Sequence, residues 1–205
     1  MKNSIVMFGG SFNPPTNAHF ALAQAIADTF DSVSKVLFVP VGDKYEKNGL
    51  VSSNYRELML NAVCCRNPKF EISKIEIEAD RCLKTVETLD LLTKEYLGHD
   101  IWFVIGSDNL KDLPNWVKAE ELLQKYELLV MEREGDNIID IILSNKLLIK
   151  YRMKIKKLFD ISNPLSSTLV REKLKKNHSV RYLVPDEIVD IISKYKLYQQ
   201  AEINA

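Results

Sequence analysis

The sequence predicts an α/β fold built on a parallel, doubly wound sheet. Short, continuous apolar runs, as expected for strands buried on both faces, recur at residues 5–8, 36–39, 101–105 and 128–131. Between them lie segments with the apolar periodicity of helices, at residues 18–29, 55–65, 85–96 and 117–125. Alternating strands and helices favour a parallel sheet, in which ligands bind beyond the carboxyl ends of the strands.

The length and composition of the chain suit a single domain. Its 205 residues, 46% of them hydrophobic, can enclose a sizeable core. We expect one domain over residues 1–205, with a small helical part at residues 166–198. The 28 basic and 28 acidic residues give a formal net charge of zero. That balance disfavours a general nucleic-acid surface and a polybasic membrane patch.

The sequence also predicts where the protein resides. No apolar run approaches the roughly 18–20 residues of a membrane-spanning helix. The N-terminus runs into the first strand without a signal-peptide pattern. The three cysteines, Cys64, Cys65 and Cys82, lack the spacing of metal ligands and fit reduced thiols. We therefore expect a cytoplasmic protein without a protein-built metal site. The oligomeric state is left open, and a homo-oligomer is compatible with the sequence.

The segment between the first strand and the first helix carries the strongest sign of chemistry. The strand stops at Gly9 and Gly10, and a helical pattern begins at about residue 17. This arrangement aims the free N–H groups and partial positive charge of a helix N-terminus past the end of the strand. The glycines remove the Cβ atoms that would keep a phosphate away. Thr16 and His19 are three residues apart, so both can face one ligand.

Two common phosphate-binding loops are excluded at this position. No Gly-Lys-Ser/Thr follows the strand, so the segment is not a P-loop. Gly9-Gly10 also does not continue into the dinucleotide-binding fingerprint. The segment therefore predicts a phosphate site with a hydroxyl and an imidazole built in. The alternative is a tight strand-to-helix turn whose histidine merely packs.

A lysine-bearing loop follows the second strand. Residues 40–50 read Pro-Val-Gly-Asp-Lys-Tyr-Glu-Lys-Asn-Gly-Leu. Lys44 and Lys47, on a mobile loop beside a cleft that binds anions, would neutralise phosphates. The alternative is that both are ordinary solvated loop charges.

A carboxylate and a tryptophan follow the third apolar run. Asp108 comes just after the strand and Gly106, where it is placed to accept hydrogen bonds from a ribose or an amide. Trp116 offers a flat face on which a planar heterocycle could stack, and a cationic pyridinium ring would gain further from it. Core packing is the alternative for Trp116.

The C-terminal part predicts two helices and a second anion site. Residues 138–157, rich in Ile, Leu and Lys, are expected to form a helix and a surface connection. A helix beginning at the hydroxyls of residues 166–168 puts Arg171 one turn in, on the face of Thr168. Free N–H groups, hydroxyls and a guanidinium suit a polyphosphate. An ordinary capped helix is the alternative. A last helix opens at residues 185–187.

These motifs, in this order, resemble the nicotinate/nicotinamide mononucleotide adenylyltransferases. Residues 10–19 fit the signature Gly-x-Phe-x-Pro-x-His/Thr-x-x-His of the nucleotidyltransferase superfamily. The Tyr-x-Lys-x-Gly-Leu loop, Gly-x-Asp followed by Trp, Ser-Ser-Thr-x-x-Arg and the sequence of residues 179–186 also match the family. The first histidine of the superfamily is Thr16 here, a replacement that family members also use. Extra residues at 160–168 leave the alignment of Ile161 and Ser162 open.

The resemblance implies a Rossmann-like nucleotidyltransferase fold and a reaction. The 5′-phosphate of the mononucleotide would attack the α-phosphorus of ATP, forming the dinucleotide and pyrophosphate for NAD biosynthesis. Acid and amide forms of the mononucleotide both remain candidate substrates, with a lean to the acid. Mg²⁺ would arrive with ATP, bound mainly by phosphates and water.

The resemblance also assigns site residues. The catalytic group would be Thr16, His19, Lys47 and Arg171. ATP would contact Gly9, Gly10, Ser11, Phe12, Gly106, Asp108, Ser167, Thr168 and Arg171. The mononucleotide would contact Lys47, Thr85, Asp108, Trp116 and Arg133.

Two alternative functions are weighed against this one. Other adenylyl or cytidylyl transferases of the superfamily, acting on phosphopantetheine or glycerol phosphate, share the first motif but lack the Tyr-x-Lys-x-Gly-Leu loop. A nucleotide-sensing regulator without turnover is a different class. Intact His19, Lys47 and Arg171 argue against a sensor, because a sensor need not retain the contacts that stabilise a transition state.

Overall fold

Six parallel strands form one sheet in the computed structural model, which describes residues 3–158 and 165–199. The strands are β1 Ser4–Gly10, β2 Val33–Pro40, β3 Phe70–Ile72, β4 Asp100–Gly106, β5 Glu127–Met131 and β6 Ile155–Leu158. Their spatial order is β3-β2-β1-β4-β5-β6, and neighbouring strands are parallel throughout. The predicted doubly wound α/β fold is confirmed. The strand order reverses between β1 and β4, which makes their carboxyl ends the switch point where ligands bind.

Helices cover both faces of the sheet. They are α1 Asn17–Thr29, α2 Ser53–Cys64, α3 Thr85–Glu95, α4 Ser107–Asp112, α5 Ala119–Lys125, α6 Ile138–Leu143, α7 Lys146–Lys150, α8 Ser167–Lys175 and α9 Asp186–Lys194. One core lies between the sheet and α1, α2, α8 and α9, and the other lies beneath α3 to α7. Val6 and Phe8 of β1 face the first core, whereas Ile5 and Met7 face the second. Strands buried on both faces therefore read as unbroken apolar runs.

The two edge strands were not predicted from the sequence. β3 has three residues, all half-buried, and therefore lacks a long apolar run. The expectation of a helix and a surface connection at residues 138–157 was partly wrong, because α6 and α7 lead into β6. In β6, Ile155 and Leu158 are buried while the two lysines between them are not, so the strand shows no continuous apolar signal. The ammonium of Lys156 instead lies 4.2 Å from the ring centroid of Trp102.

The C-terminal helices share a core with the start of the sheet. Val170 of α8 and Ile188 and Ile192 of α9 are buried in the same cluster as Val6 and Phe8. The beginning of α1 is bonded to the segment between α8 and α9, since the backbone N–H of Asn17 donates to the carbonyl of Leu183 at 3.0 Å. As a result of this packing, the N-terminus of α8 lies beside the turn that follows β1.

Two further points of the sequence analysis concern the extra residues near position 161 and helices that could span a membrane. The extra residues with the open alignment, Ile161 and Ser162, lie outside the described residues. Across residues 3–158 and 165–199, none of the helices has both the length and the apolar character needed to cross a lipid bilayer.

Candidate active site

Two cavities open at the carboxyl ends of β1 and β4. The first, about 330 Å³, lies toward α1 and α8, and the second, about 560 Å³, lies toward α3 and Trp116. They have a common wall, formed by Gly9, Gly10, Ser11, Lys47 and Asn109. A ligand in one cavity can therefore meet a ligand in the other over the Gly9–Ser11 segment, which is the phosphate-binding turn predicted from the sequence.

The first cavity has the charge needed to hold an anion. Lys47, Arg133 and Arg171 line it, and no carboxylate does among the described residues. The chain as a whole has a formal net charge of zero. The positive charge is therefore local, and the enclosing walls strengthen its field on a bound phosphate.

The imidazole of His19 is held in one tautomer. Its Nδ1 lies 2.9 Å from the backbone nitrogen of Thr16 and 2.7 Å from the Thr16 hydroxyl oxygen. A backbone N–H can only donate, so Nδ1 accepts and carries no proton. The neutral ring therefore keeps its proton on Nε2. The ring also packs edge-on against Phe12, with the centroids 5.2 Å apart. His19 lines the first cavity as a neutral hydrogen-bond donor.

The environment of His19 keeps it neutral. Burial of the ring, followed by the positive charge of Arg133, lowers its pKa from 6.5 to about 4. A second proton is disfavoured both by desolvation and by a like charge. At neutral pH the ring can therefore donate one hydrogen bond to a phosphoryl oxygen without adding a cation.

The expectation that Thr16 faces the ligand together with His19 was wrong. Thr16 is fully buried and does not line the cavity. Its hydroxyl and backbone N–H both turn toward Nδ1 of His19. The side chain of Thr16 therefore orients the imidazole from behind, and His19 is the member of the pair that lines the cavity.

The N-terminus of α8 is fastened to the turn after β1. Arg171 donates to the carbonyl of Asn13 at 2.8 Å and to the hydroxyl of Thr168 at 3.1 Å. The hydroxyl of Ser167 donates to the carbonyl of Pro14 at 2.8 Å. Arg171, Ser167 and Thr168 all line the first cavity, and their contact with a phosphate stays a prediction. Since the hydroxyl proton of Ser167 is already committed to Pro14, its backbone N–H is the donor better placed for an anion.

Lys47 lies at the boundary between the cavities. Its ammonium is 3.2 Å from the hydroxyl of Ser11. Burial and the charge of Arg171 lower the pKa of Lys47. A bound anion would relieve the repulsion between these two cations. Lys44, the weaker candidate of the same loop, is exposed and lines neither of the two cavities.

Asp108 and Arg133 occupy positions different from those predicted. Arg133 donates from Nε to the Asp108 carboxylate at 2.8 Å, and both side chains are about half exposed. Arg133 lines the first cavity and not the second, whereas Asp108 lines neither. The expected contacts of both residues with the mononucleotide, and of Asp108 with ATP, are therefore not supported by this arrangement. Gly106 leaves room for the pair, because a Cβ there would lie 2.2 Å from Asp108 Oδ1.

The second cavity brings together Trp116 and Thr85. The indole N–H of Trp116 donates to Asp112 at 3.1 Å, and its ring lies 6.3 Å from that of Phe103. Thr85 opens α3, whose partially positive N-terminus therefore borders the cavity. Both predicted residues line it, and the ring of Trp116 is half-buried. The cavity therefore combines an aromatic face with the N-terminus of a helix.

Several polar residues of the cavities were not assigned from the sequence. Among them, Asn109 lines both cavities, and Tyr45, Glu76 and Asp112 line the second. Burial raises the pKa of Glu76, although its carboxylate accepts a hydrogen bond from Thr88 at 2.7 Å. The position of Asn109 just after the Gly-Ser-Asp motif was a usable signal. Glu76 had none, because it follows the unpredicted strand β3.

Comparison with known proteins gives this site its context. A family model described as "Cytidylyltransferase-like" matches residues 7–173. The chain is 33% identical to a probable nicotinate-nucleotide adenylyltransferase of Caldicellulosiruptor bescii over 197 residues, covering 96% of this chain and 99% of that one. It is 31% identical to a protein of the same description from Clostridium tetani, covering 97% and 100%.

Solved structures share the fold. The nicotinic acid mononucleotide adenylyltransferase of Plasmodium falciparum, complexed with NaAD, superposes with a TM-score of 0.76 at 20% identity, covering 96% of this chain and 97% of that one. The same Plasmodium enzyme complexed with APC gives a TM-score of 0.75 at 22% identity, covering 97% and 98%.

The protonation state of His19 is directly measurable. We expect its imidazole to titrate near pH 4 in the folded protein, with the proton on Nε2 above that pH. Because the unfolded chain binds this proton near the ordinary 6.5, the His19 contribution to stability is present above pH 6.5 and is lost as pH falls toward 4. Titration of the ring nitrogens by ¹⁵N NMR measures both the pKa of His19 and the nitrogen that carries the proton. A midpoint at or above 6.5 would contradict the assignment.

Proposed function

The chain belongs to the nicotinate-nucleotide adenylyltransferases of the cytidylyltransferase-like family, and we propose that it joins the adenylyl group of ATP to nicotinate mononucleotide. The products are deamido-NAD and pyrophosphate. The observation that carries this proposal is the common wall of the two cavities at Gly9–Ser11, Lys47 and Asn109. ATP would fill the cationic cavity beside α8, and the mononucleotide would fill the one beside Trp116.

The reaction needs positioning and charge stabilisation rather than a strong base. The phosphate of the mononucleotide is already an anionic nucleophile, so it can attack the α-phosphorus in line while pyrophosphate leaves. The N–H at Nε2 of His19 would donate to an oxygen of the α-phosphate as charge develops there. Lys47, between the cavities, would screen the repulsion between the two phosphates. Arg171 and the N-terminus of α8 would hold the leaving pyrophosphate.

We propose that Mg²⁺ enters with ATP. The residues that line the first cavity offer N–H groups, hydroxyls and cations but no carboxylate among those described. Such a set suits phosphate oxygens and leaves the metal to the phosphates and water, as Mg²⁺ commonly prefers. When bound, Mg²⁺ would neutralise charge on the leaving pyrophosphate, while the protein residues hold the phosphates in line.

The acid form of the mononucleotide is the better match for the second cavity. The N-terminus of α3 at Thr85 carries a partial positive charge, and Lys84 lies beside it in the lining. Both favour a pyridine ring that bears a carboxylate. Two carboxylates of the same cavity oppose them, Glu76 and Asp112. Burial raises the pKa of Glu76, which reduces its opposition, and Asp112 already accepts a hydrogen bond from the indole of Trp116.

Pyrophosphate release tests the function. With ATP and Mg²⁺, we expect turnover with nicotinate mononucleotide and a lower kcat/KM with nicotinamide mononucleotide. A preference for the amide would reverse the substrate assignment within the same reaction. Absence of turnover with both, from folded protein that binds ATP, would instead support a sensor or a different acceptor.

Replacing His19 by alanine tests its role at the α-phosphate. We expect His19→Ala to lower kcat by at least about 100-fold, since removal of one such donor typically reduces the rate by that order. Steady-state kinetics measures the loss, and circular dichroism checks that the fold survives. Thr16→Val is the matched control, because it removes the hydroxyl behind the ring but keeps the backbone N–H. It should reduce kcat much less, and near-normal turnover of His19→Ala would remove His19 from the mechanism.

Replacing Trp116 by alanine tests the assignment of the two cavities. The indole lines only the second of them. We therefore expect Trp116→Ala to raise the KM for the mononucleotide about tenfold or more, the order of one aromatic stacking contact, and to leave the KM for ATP nearly unchanged. Initial rates with each substrate varied in turn measure the two constants. Equal increases in both would undo the stacking assignment.

A further inference from the structure

The side chain of Asn13 is a buried junction beneath the phosphate-binding turn. It is 1% exposed, and both polar atoms of its amide are bonded. Nδ2 donates to the carbonyl of Gly49 at 2.8 Å, and Oδ1 accepts from the backbone N–H of Val51 at 3.2 Å. Gly49 and Val51 belong to the end of the loop that carries Lys47. The amide of Asn13 therefore ties that loop to the turn after β1.

The other end of the same loop is fixed separately. The carboxylate of Asp43 accepts from the backbone N–H of Ser53 at 2.6 Å and from the guanidinium of Arg56 at 3.3 Å. Arg56 is fully buried and also donates to the carbonyl of Val51 at 2.9 Å. Between these two anchors, residues 44–50 run across the surface, and Lys47 reaches back to Ser11 at 3.2 Å. The position of the Lys47 ammonium thus depends on both anchors.

Tyr198, beyond the last helix, adds a further bond to the Asn13 anchor. Its hydroxyl lies 2.9 Å from Asn13 Oδ1, an acceptor, so the hydroxyl donates. The segment that carries it is itself held, since Leu197 is buried and its N–H donates to the carbonyl of Ile192 at 3.0 Å. With two donors on Oδ1, the amide of Asn13 is locked so that Nδ2 faces Gly49.

We propose that Tyr198 is a positioning residue for the reaction, which holds Lys47 at the boundary of the two cavities through Asn13 and the loop of residues 44–50. Tyr198 lines neither of these cavities, so its effect would pass entirely through Asn13. The kinetic part of this inference rests on the proposed function. The structural part, the restraint of the loop, does not.

Tyr198→Phe removes the hydroxyl and keeps the ring. We expect kcat/KM to fall about fivefold, the order of one lost hydrogen bond. The matched control is Tyr195→Phe, three residues earlier in the chain. Tyr195 lines neither cavity, and its hydroxyl has no hydrogen bond in the described part of the chain. That control should keep the wild-type rate. The decisive step is to repeat Tyr198→Phe in a Lys47→Ala background, where the fivefold loss should disappear because the two changes act through one group.

Hydrogen exchange tests the restraint without any substrate. The amide of Val51 donates to Asn13, so Tyr198→Phe should speed its exchange about fivefold, while the amide of Val36 in β2 exchanges as before. Faster exchange at both amides would mean global destabilisation and would overturn the proposal. So would an unchanged Val51, or an equal kinetic loss with and without Lys47. If wild-type protein shows no turnover, the proposed function fails and the exchange result alone decides the restraint.

Discussion

In the proposed reaction, the turn between β1 and α1 would border a polyanion, although its own carbonyl oxygens, which would repel one, lie close by. Three of these oxygens are engaged by side chains from other elements. Arg56 of α2 donates to Ser11 at 3.2 Å, Arg171 of α8 donates to Asn13 at 2.8 Å, and Ser167 donates to Pro14 at 2.8 Å. Because buried carbonyls need partners, these bonds satisfy the turn and fix its shape.

The same turn explains why the site combines cations with a neutral histidine. Arg133, which follows β5, and Arg171, in α8, both line the first cavity. The charge of Arg133 is one cause of the low pKa of His19. A protonated His19 would add another cation to a crowded, partly dehydrated site. In the proposed reaction, the neutral imidazole would instead offer one directed hydrogen bond, which would strengthen as charge develops on the α-phosphate. That proposal assigns binding affinity to the cations and rate acceleration to His19.

The sequence predicted the parts of this arrangement that depend on local patterns. The four central strands, the turn at Gly9–Gly10 and the start of α8 were all found from periodicity, glycines and capping hydroxyls. Arg56 could not be found in this way. It reads as one polar residue of an amphipathic helix, and its burial is decided by the carbonyl of Ser11, 45 residues earlier. The buried position of Thr16 was mispredicted for a related reason, because helical spacing places two residues near each other but does not say which one faces the cavity.

The C-terminal segment belongs to the site as much as the sheet does. The family model ends at residue 173, within α8. Yet the backbone N–H of Asn17 is bonded to Leu183, its side chain to the carbonyl of Tyr182 at 2.7 Å, and Asn13 to Tyr198. Ile188 and Ile192 bury α9 against the same core as β1. Residues 11–16 form no regular secondary structure, so their backbone groups find hydrogen-bond partners on packed neighbours. Residues beyond α8 supply part of these hydrogen bonds, so the shape of the turn after β1 depends on the packing of α9.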